Sequence, residues 1–380
     1  MPYWLLPWGL FLFLLPFEEA IYRTPLGLAF NLLGVFAAGL LALVPRAARD
    51  AATPKLVATC VLMALLSLSF FTSIDPRVSR DMLVPIGYMF LTYVLATLTP
   101  LTDRELGLSF RCWMWGGAAA SVCTLYAFSQ GVWDVDHRAY LGWEGAKTDP
   151  NILVAALVMP FAVALKRLPR HRLESVAALI PIVLATVATQ SRGGVLALLI
   201  VTGIFMVHAR RYKTLAGGLA LIVAFYLAFA SQLGRFDVAE DPTGSRRTEI
   251  WHTAMVTTMD HWATGIGMDT FPLISAGAPS LYWERAPHNT YLQAFLEAGL
   301  PAFLAVLWAM GAHLVIRGQG AWRRTVTAAM VALAMCGMSL HLLTFKLLWM
   351  AWAASAQAER ARPEDLPKPR RSGKMGAVPS

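Results

Sequence analysis

The sequence predicts an all-α, polytopic membrane protein of about twelve transmembrane helices, with one large outer loop that carries short helices of its own. Three observations lead there. Of the 380 residues, 57% are hydrophobic and 14% charged, with a mean hydropathy of +0.54, whereas soluble domains hold roughly 45–50% apolar and 25% charged residues. The apolar runs are long, rich in Leu, Ala and Val, and lack the two-residue alternation of a membrane β-strand, so helices must satisfy the backbone in lipid. The Lys and Arg residues gather at the ends of these runs rather than among aromatics. The net charge of +9 is therefore a matter of topology, and no nucleic-acid partner is expected.

The elements follow in order along the chain. Met1 to Phe17 is the first span; no basic segment precedes it and no small-residue cleavage site precedes Glu18 and Glu19, so no removable signal peptide is expected. Further spans are expected at about 25–45, 55–73, 82–99, 108–131, 150–166, 175–190, 193–209, 214–231 and 290–316. The stretch from Val326 to Ala354 is too long for one crossing and short for two. Arg317, Arg323 and Arg324 precede it and Arg360, Arg362, Lys368, Arg370, Arg371 and Lys374 follow it. Both basic groups belong on the cytoplasmic side, which requires an even number of crossings between them, hence two short spans broken near Ser339 to Thr344.

Most of the 32 Lys and Arg then fall on that side, with both termini. The transmembrane region is expected over 1–357, including an outer loop at 231–287, and a Pro-rich, charged, disordered tail over 358–380. Cys60, Cys112, Cys123 and Cys336 lie inside apolar runs without a CxxC pair and read as small core residues.

Three outer segments carry chemistry. In Thr189 to Gly194, Ser191, Gly193 and Gly194 open the next helix, whose free N–H groups and positive dipole end suit an anion. Arg192 adds a planar donor fork matched to phosphate. The plainer reading is a hairpin turn with Arg192 snorkelling to the interface. In the second segment, Arg247 and Trp251 stand four apart on one helical face, Ser245 is a candidate cap, and Ile250, Trp251, Ala254 and Met255 would lay that helix on the membrane surface. Adjacent arginines in a loop are otherwise commonly just solvated.

In the third segment, His288 stands at a helix start, where an imidazole can act as a base toward a hydroxyl. A lone histidine there is otherwise a capping residue. Glu297, inside the following apolar helix, needs a partner, and an arginine or another polar group is expected.

Together, S-R-G-G at 191–194, R-x-x-x-W at 247–251, and H-N-x-Y-L with E-x-G-L-P over 288–301 resemble the O-antigen ligase family, part of the wider group of O-antigen ligases, polymerases and bacterial O-oligosaccharyltransferases. Asp149-Pro150-Asn151 ahead of a span also resembles the family pattern. The resemblance implies a GT-C-like glycosyltransferase of the bacterial inner membrane. It would carry a glycan from undecaprenyl diphosphate to lipid A-core oligosaccharide on the periplasmic face. It also implies Arg192 and Arg247 on the diphosphate and His288 as base, with inversion at the anomeric carbon and no metal or cofactor. Ser191, Gly193, Trp251, Asn289 and Glu297 would line the substrate site, and Tyr282 and Trp283 would be sugar platforms or members of an interfacial aromatic belt.

Competing readings are an O-antigen polymerase, a protein O-oligosaccharyltransferase, and a metal-dependent enzyme using Glu18-Glu19 or Asp134-Val135-Asp136. A polysaccharide flippase fits less well, because the polar residues gather at the outer surface rather than at mid-bilayer.

Overall fold

The computed structural model describes residues 2–44, 53–134, 137–143, 146–210, 247–276, 286–317 and 320–361. The expected span at 214–231, Ser245, Asp136, Tyr282, Trp283 and the tail beyond Ala361 lie outside these residues. The first helical segment is broken: α1 (Leu6–Leu14) passes through a 3-10 turn at Leu15–Phe17 into α2 (Glu18–Tyr22). There follow α3 (Gly27–Leu43), α4 (Pro54–Leu68), α5 (Pro76–Leu98) and α6 (Asp103–Ser129). The only strands among the described residues are a small antiparallel hairpin, Gly142–Trp143 with Ala146–Lys147.

Then come α7 (Pro150–Arg167), α8 (Arg172–Ala188) and α9 (Arg192–His208). Beyond α9 come α10 (Arg247–Asp260) and the short α11 (Phe271–Ser275), and then, among the described residues, α12 (Thr290–Leu314), α13 (Arg323–Cys336) and α14 (Lys346–Arg360). Among the described residues, five helical segments are long and apolar enough to cross a membrane: Tyr3–Tyr22, Pro54–Thr72, Pro76–Leu98, Pro150–Arg167 and Thr290–Leu314. Gly27–Leu43 and Arg192–His208 are shorter apolar helices.

α7 lies at the centre, buried along most of its length, and packs against α6, α8, α9 and α13. Its approach to α6 depends on Gly117, where a methyl group would run into Pro160, while the adjacent Gly116 leaves no room for a side chain against the backbone of Phe13. Small residues let apolar helices come this close where no hydrophobic effect drives them together in lipid. α14 is as deeply enclosed as α7 and packs on α5 and α13.

The helices on either side of the expected break near Ser339 to Thr344 are α13 and α14, which are 14 and 15 residues long. α14 runs past the expected boundary at 357, and Arg360 is buried, its Nη1 donating to the Thr97 carbonyl. The cysteines depart from expectation. Cys60 and Cys123 are exposed, Cys112 is half-buried, and only Cys336 lies in the core. An apolar residue on a membrane helix is as well placed toward lipid as toward protein, so hydropathy does not separate the two faces.

Candidate functional site

Ser191 is the N-cap of α9. Its Oγ accepts from the Gly194 N–H at 3.1 Å and donates to Asn151 Oδ1 at 2.8 Å. Gln190 just before it takes a left-handed backbone, φ 51°, that turns the chain sharply out of α8. A side chain at Gly194 would collide with Val154, so glycine is what lets α9 start against α7. Gly193 faces Ser339, whose Oγ would lie 3.3 Å from an added Cβ. The helix start expected at 191–194 is thus present, with Arg192 as the first residue of α9.

Beneath this turn lies a chain of hydrogen bonds that sequence reasoning missed. Arg138, only 6% exposed, donates from Nε to the Thr189 carbonyl at 2.9 Å and from Nη2 to Asn151 Oδ1 at 3.0 Å. Asn151 donates through Nδ2 to Asp149 Oδ1 at 2.8 Å, and the Asp149 N–H donates to both carboxylate oxygens of Glu19. Arg138 sits in a loop of ordinary polar composition, where the sequence carries no sign of burial.

The start of α12 reaches the same end of the bundle. His288 has a left-handed backbone, φ 47°, and is half-buried. Asn289 is the N-cap, its Oδ1 accepting from the N–H groups of Tyr291 and Leu292, both at 3.0 Å. Thr290 then ties this start to the break between α13 and α14. Its N–H donates to the Gly337 carbonyl at 2.8 Å, its Oγ1 donates to the Leu340 carbonyl at 2.6 Å, and the same oxygen accepts from the Leu342 N–H.

That arrangement sets the His341 ring 5.4 Å from the His288 ring, centroid to centroid. Burial, and then the neighbouring His288, push the His341 imidazole down to about 4, so it is neutral at physiological pH. Its only signal in the sequence was its place in the break expected at the outer face.

α10 joins the site through Trp251, whose Nε1 donates to the Pro287 carbonyl at 2.8 Å, next to His288. Arg247 is the first residue of α10. The expected membrane-lying face is instead docked on the protein: Ile250 and Ala254 form a small core with Ile266, Phe271 and Leu296. Met255, Met259 and Trp262 stay exposed.

The docking works because α12 kinks at Gly299, φ 78°, which frees backbone groups that the incoming loop takes up. The Ile266 and Gly267 N–H groups donate to the carbonyls of Leu296 and Glu297, and the Leu300 N–H donates to the Trp262 carbonyl. Glu297 is 1% exposed. Its hydrogen-bond partner is a polar neighbour rather than an arginine, Gln293 one turn earlier, with Nε2 at 3.0 Å. Asp269 lies beside Glu297, and burial raises the Asp269 carboxyl above its ordinary value.

The acidic residues of the alternative reading have scaffolding tasks. Glu18, buried, accepts from the Lys346 N–H at 2.7 Å and the Leu347 N–H at 3.3 Å, capping α14, and pairs with the Lys346 ammonium at 3.4 Å. Glu19 supports Asp149 and pairs with Arg23, and Asp134 lies 3.8 Å from Arg138.

Helices apolar enough to cross a membrane, gathering a capped helix N-terminus with its arginine and a histidine pair at one end, define a membrane protein with a polar cluster at that end of its bundle. The family model of O-antigen ligase matches residues 177–307. The matched stretch runs from α8 into α12 and takes in Ser191 to Gly194, Arg247, Trp251 and the segment from His288 to Pro301, so the resemblance read from those motifs is met. It covers about a third of the chain. A comparison with curated proteins finds no match.

Proposed function

We propose that this protein is an O-antigen ligase-type glycosyltransferase of the bacterial inner membrane, transferring a glycan from undecaprenyl diphosphate to lipid A-core oligosaccharide on the periplasmic face. The observation that carries the reading is the meeting of the capped α9 start at Ser191–Arg192 with the His288 start of α12 through the Ser339–His341 turn. The N–H groups of α9, Arg192 and, from α10, Arg247 hold the diphosphate and take up the charge that develops as it leaves. His288 takes the proton of the attacking sugar hydroxyl. The new C–O bond forms at the anomeric carbon on the side opposite the departing diphosphate, so the product is inverted. Ser191, Gly193, Asn289 and Trp251 shape this site, and Glu297 holds α12 and the 261–269 loop together beneath it. Tyr282 and Trp283 are proposed as sugar platforms.

The test is transfer by the full-length protein in detergent, with lipid-diphosphate-linked glycan as donor and lipid A-core as acceptor. Arg192→Lys and Arg247→Lys keep the charge and lose the donor fork, and both should weaken donor binding and turnover together. His288→Ala should bind donor normally and lose turnover by roughly 10²–10⁴-fold. Growth of the glycan on its lipid carrier, with no transfer to lipid A-core, would instead identify a polymerase; transfer to protein would identify an oligosaccharyltransferase.

A further inference from the structure

The proposed site holds a second imidazole to which neither the motifs nor the family match gives a role. His341 lies in the break between α13 and α14, its ring centroid 5.4 Å from that of His288 and 5.4 Å from that of Phe345. It is not a surface residue that drifts. The turn bearing it is bound to the start of α12 by three hydrogen bonds at Thr290 and by a fourth from the Tyr291 hydroxyl to the Ala334 carbonyl at 2.9 Å. The residue two positions earlier, Ser339, meets Gly193 at the start of α9. On its far side the turn runs into Lys346, whose N–H is held by Glu18. The positions of His341 and His288 are therefore coupled by backbone bonds.

The His341 Nδ1 atom is buried and makes no hydrogen bond among the described residues. A buried imidazole with one idle nitrogen is poorly satisfied unless another step of the protein's cycle supplies a partner. Such a partner arises in the reaction proposed above. When the acceptor hydroxyl gives its proton to His288, the C–O bond to the sugar forms and the C–O bond to the diphosphate breaks. The bonding pair leaves with the diphosphate, the proton rests on the His288 nitrogen that faced the hydroxyl, and the N–H on the other ring nitrogen becomes a stronger, charge-assisted donor.

We infer that His341 is a positioning residue for this reaction, a neutral imidazole that accepts a hydrogen bond from the His288 N–H opposite the base nitrogen, most strongly once His288 has taken the proton. The inference rests on the reading of His288 as the base. His341 neither touches the sugar nor gains a proton. Its neutrality matters for the same geometry: a second cation beside His288 would oppose the charge His288 acquires, whereas a lone pair stabilises it. In a catalytic triad a carboxylate performs this task for the central imidazole; here an imidazole with a free lone pair stands in that place.

Two substitutions separate this role from simple packing. His341→Phe keeps an aromatic ring between His288 and Phe345 and removes the acceptor; His341→Gln loses the ring and restores an acceptor oxygen. Steady-state transfer by the full-length protein, with lipid-diphosphate-linked glycan and lipid A-core, should show His341→Phe lowering kcat roughly 10–100-fold, the worth of one hydrogen bond to a charged group. Donor KM should stay unchanged, and His341→Gln should recover part of the loss.

The reverse order, with Phe active and Gln impaired, would make His341 a packing residue and overturn the inference. Equal impairment of both, with a lowered thermal unfolding midpoint, would overturn it as well. His288→Ala measured alongside tells the two failures apart. If His288→Ala is inactive while His341→Phe is fully active, only the role of His341 falls. If His288→Ala retains turnover, the base assignment falls and this role with it.

Discussion

Removing one oxygen from Ser191 tests whether the cap and the turn below it hold the start of α9, the end proposed to meet the diphosphate. Ser191→Ala abolishes two bonds at a position only 2% exposed: the cap to the Gly194 N–H at 3.1 Å and the donation to Asn151 Oδ1 at 2.8 Å. A lost N-cap costs about 1 kcal/mol. The second bond adds about 1 kcal/mol rather than more, because Asn151 Oδ1 still accepts from Arg138 and is not left bare. The sum, about 2 kcal/mol, corresponds to roughly a 30-fold shift toward an uncapped, splayed start of α9.

Ser191→Thr keeps the oxygen and is the matched control. The assay is a donor titration of the transfer reaction, read together with thermal unfolding. Ser191→Ala should raise donor KM and lower kcat together, with kcat/KM falling by up to about 30-fold, since the α9 start that these bonds fix is proposed both to hold the diphosphate and to take up its developing charge. Ser191→Thr should stay near wild type in both. An Ala variant with wild-type donor KM and unfolding midpoint would refute the claim that these two bonds fix the turn.

Three further outcomes follow from the packing and the charges. Gly116→Val should prevent stable assembly of the bundle, seen as loss of a monodisperse peak in detergent, because any side chain there meets the Phe13 backbone; Gly39→Val, with open space around it, should be tolerated. For topology, cysteines at Ala146 and Ala278 should react with an impermeant thiol reagent from the periplasm. Ala361 is only 8% exposed and makes a poor opposite reporter, so a cysteine at the exposed Arg210 serves instead and should not react in spheroplasts. The third concerns pH. The His341 imidazole titrates near 4 in the fold against 6.5 unfolded. The unfolded chain therefore takes up its proton first, and the stability present above pH 6.5 falls as pH drops toward 4. The decline in unfolding midpoint over that window should be shallower in His341→Gln, and an identical decline would remove His341 as its source.

Much of this end of the molecule was legible in the sequence, because caps and turns carry local signals. The start of α9 could be placed from Ser191 and the glycines after it, and the break between α13 and α14 from the basic groups on either side. What stayed hidden depended on distant partners. The sequence places Ile250 and Ala254 on an apolar face, and a membrane surface and the side of a kinked helix look the same from there. Arg138 gives no hint that it lies under Thr189, 51 residues away. His341 is one histidine in an apolar stretch until Thr290 brings its turn against His288. Glu297 was flagged as needing a partner, but the kink at Gly299, which determines what surrounds it, is a property of the assembled helix.

The Glu18 cap on α14 also constrains how the protein is made. Glu18 and the Lys346 N–H it accepts from are 328 residues apart, which at typical translation speeds of about 5–20 residues per second is roughly 15–65 s of synthesis. Through that interval the carboxyl group of Glu18, which follows the first apolar run, is without the N–H groups at the start of α14 that it accepts from in the fold. The packing of the first helical segment at Glu18 therefore waits for α14, and two segments far apart in the sequence become one structural unit only late in synthesis.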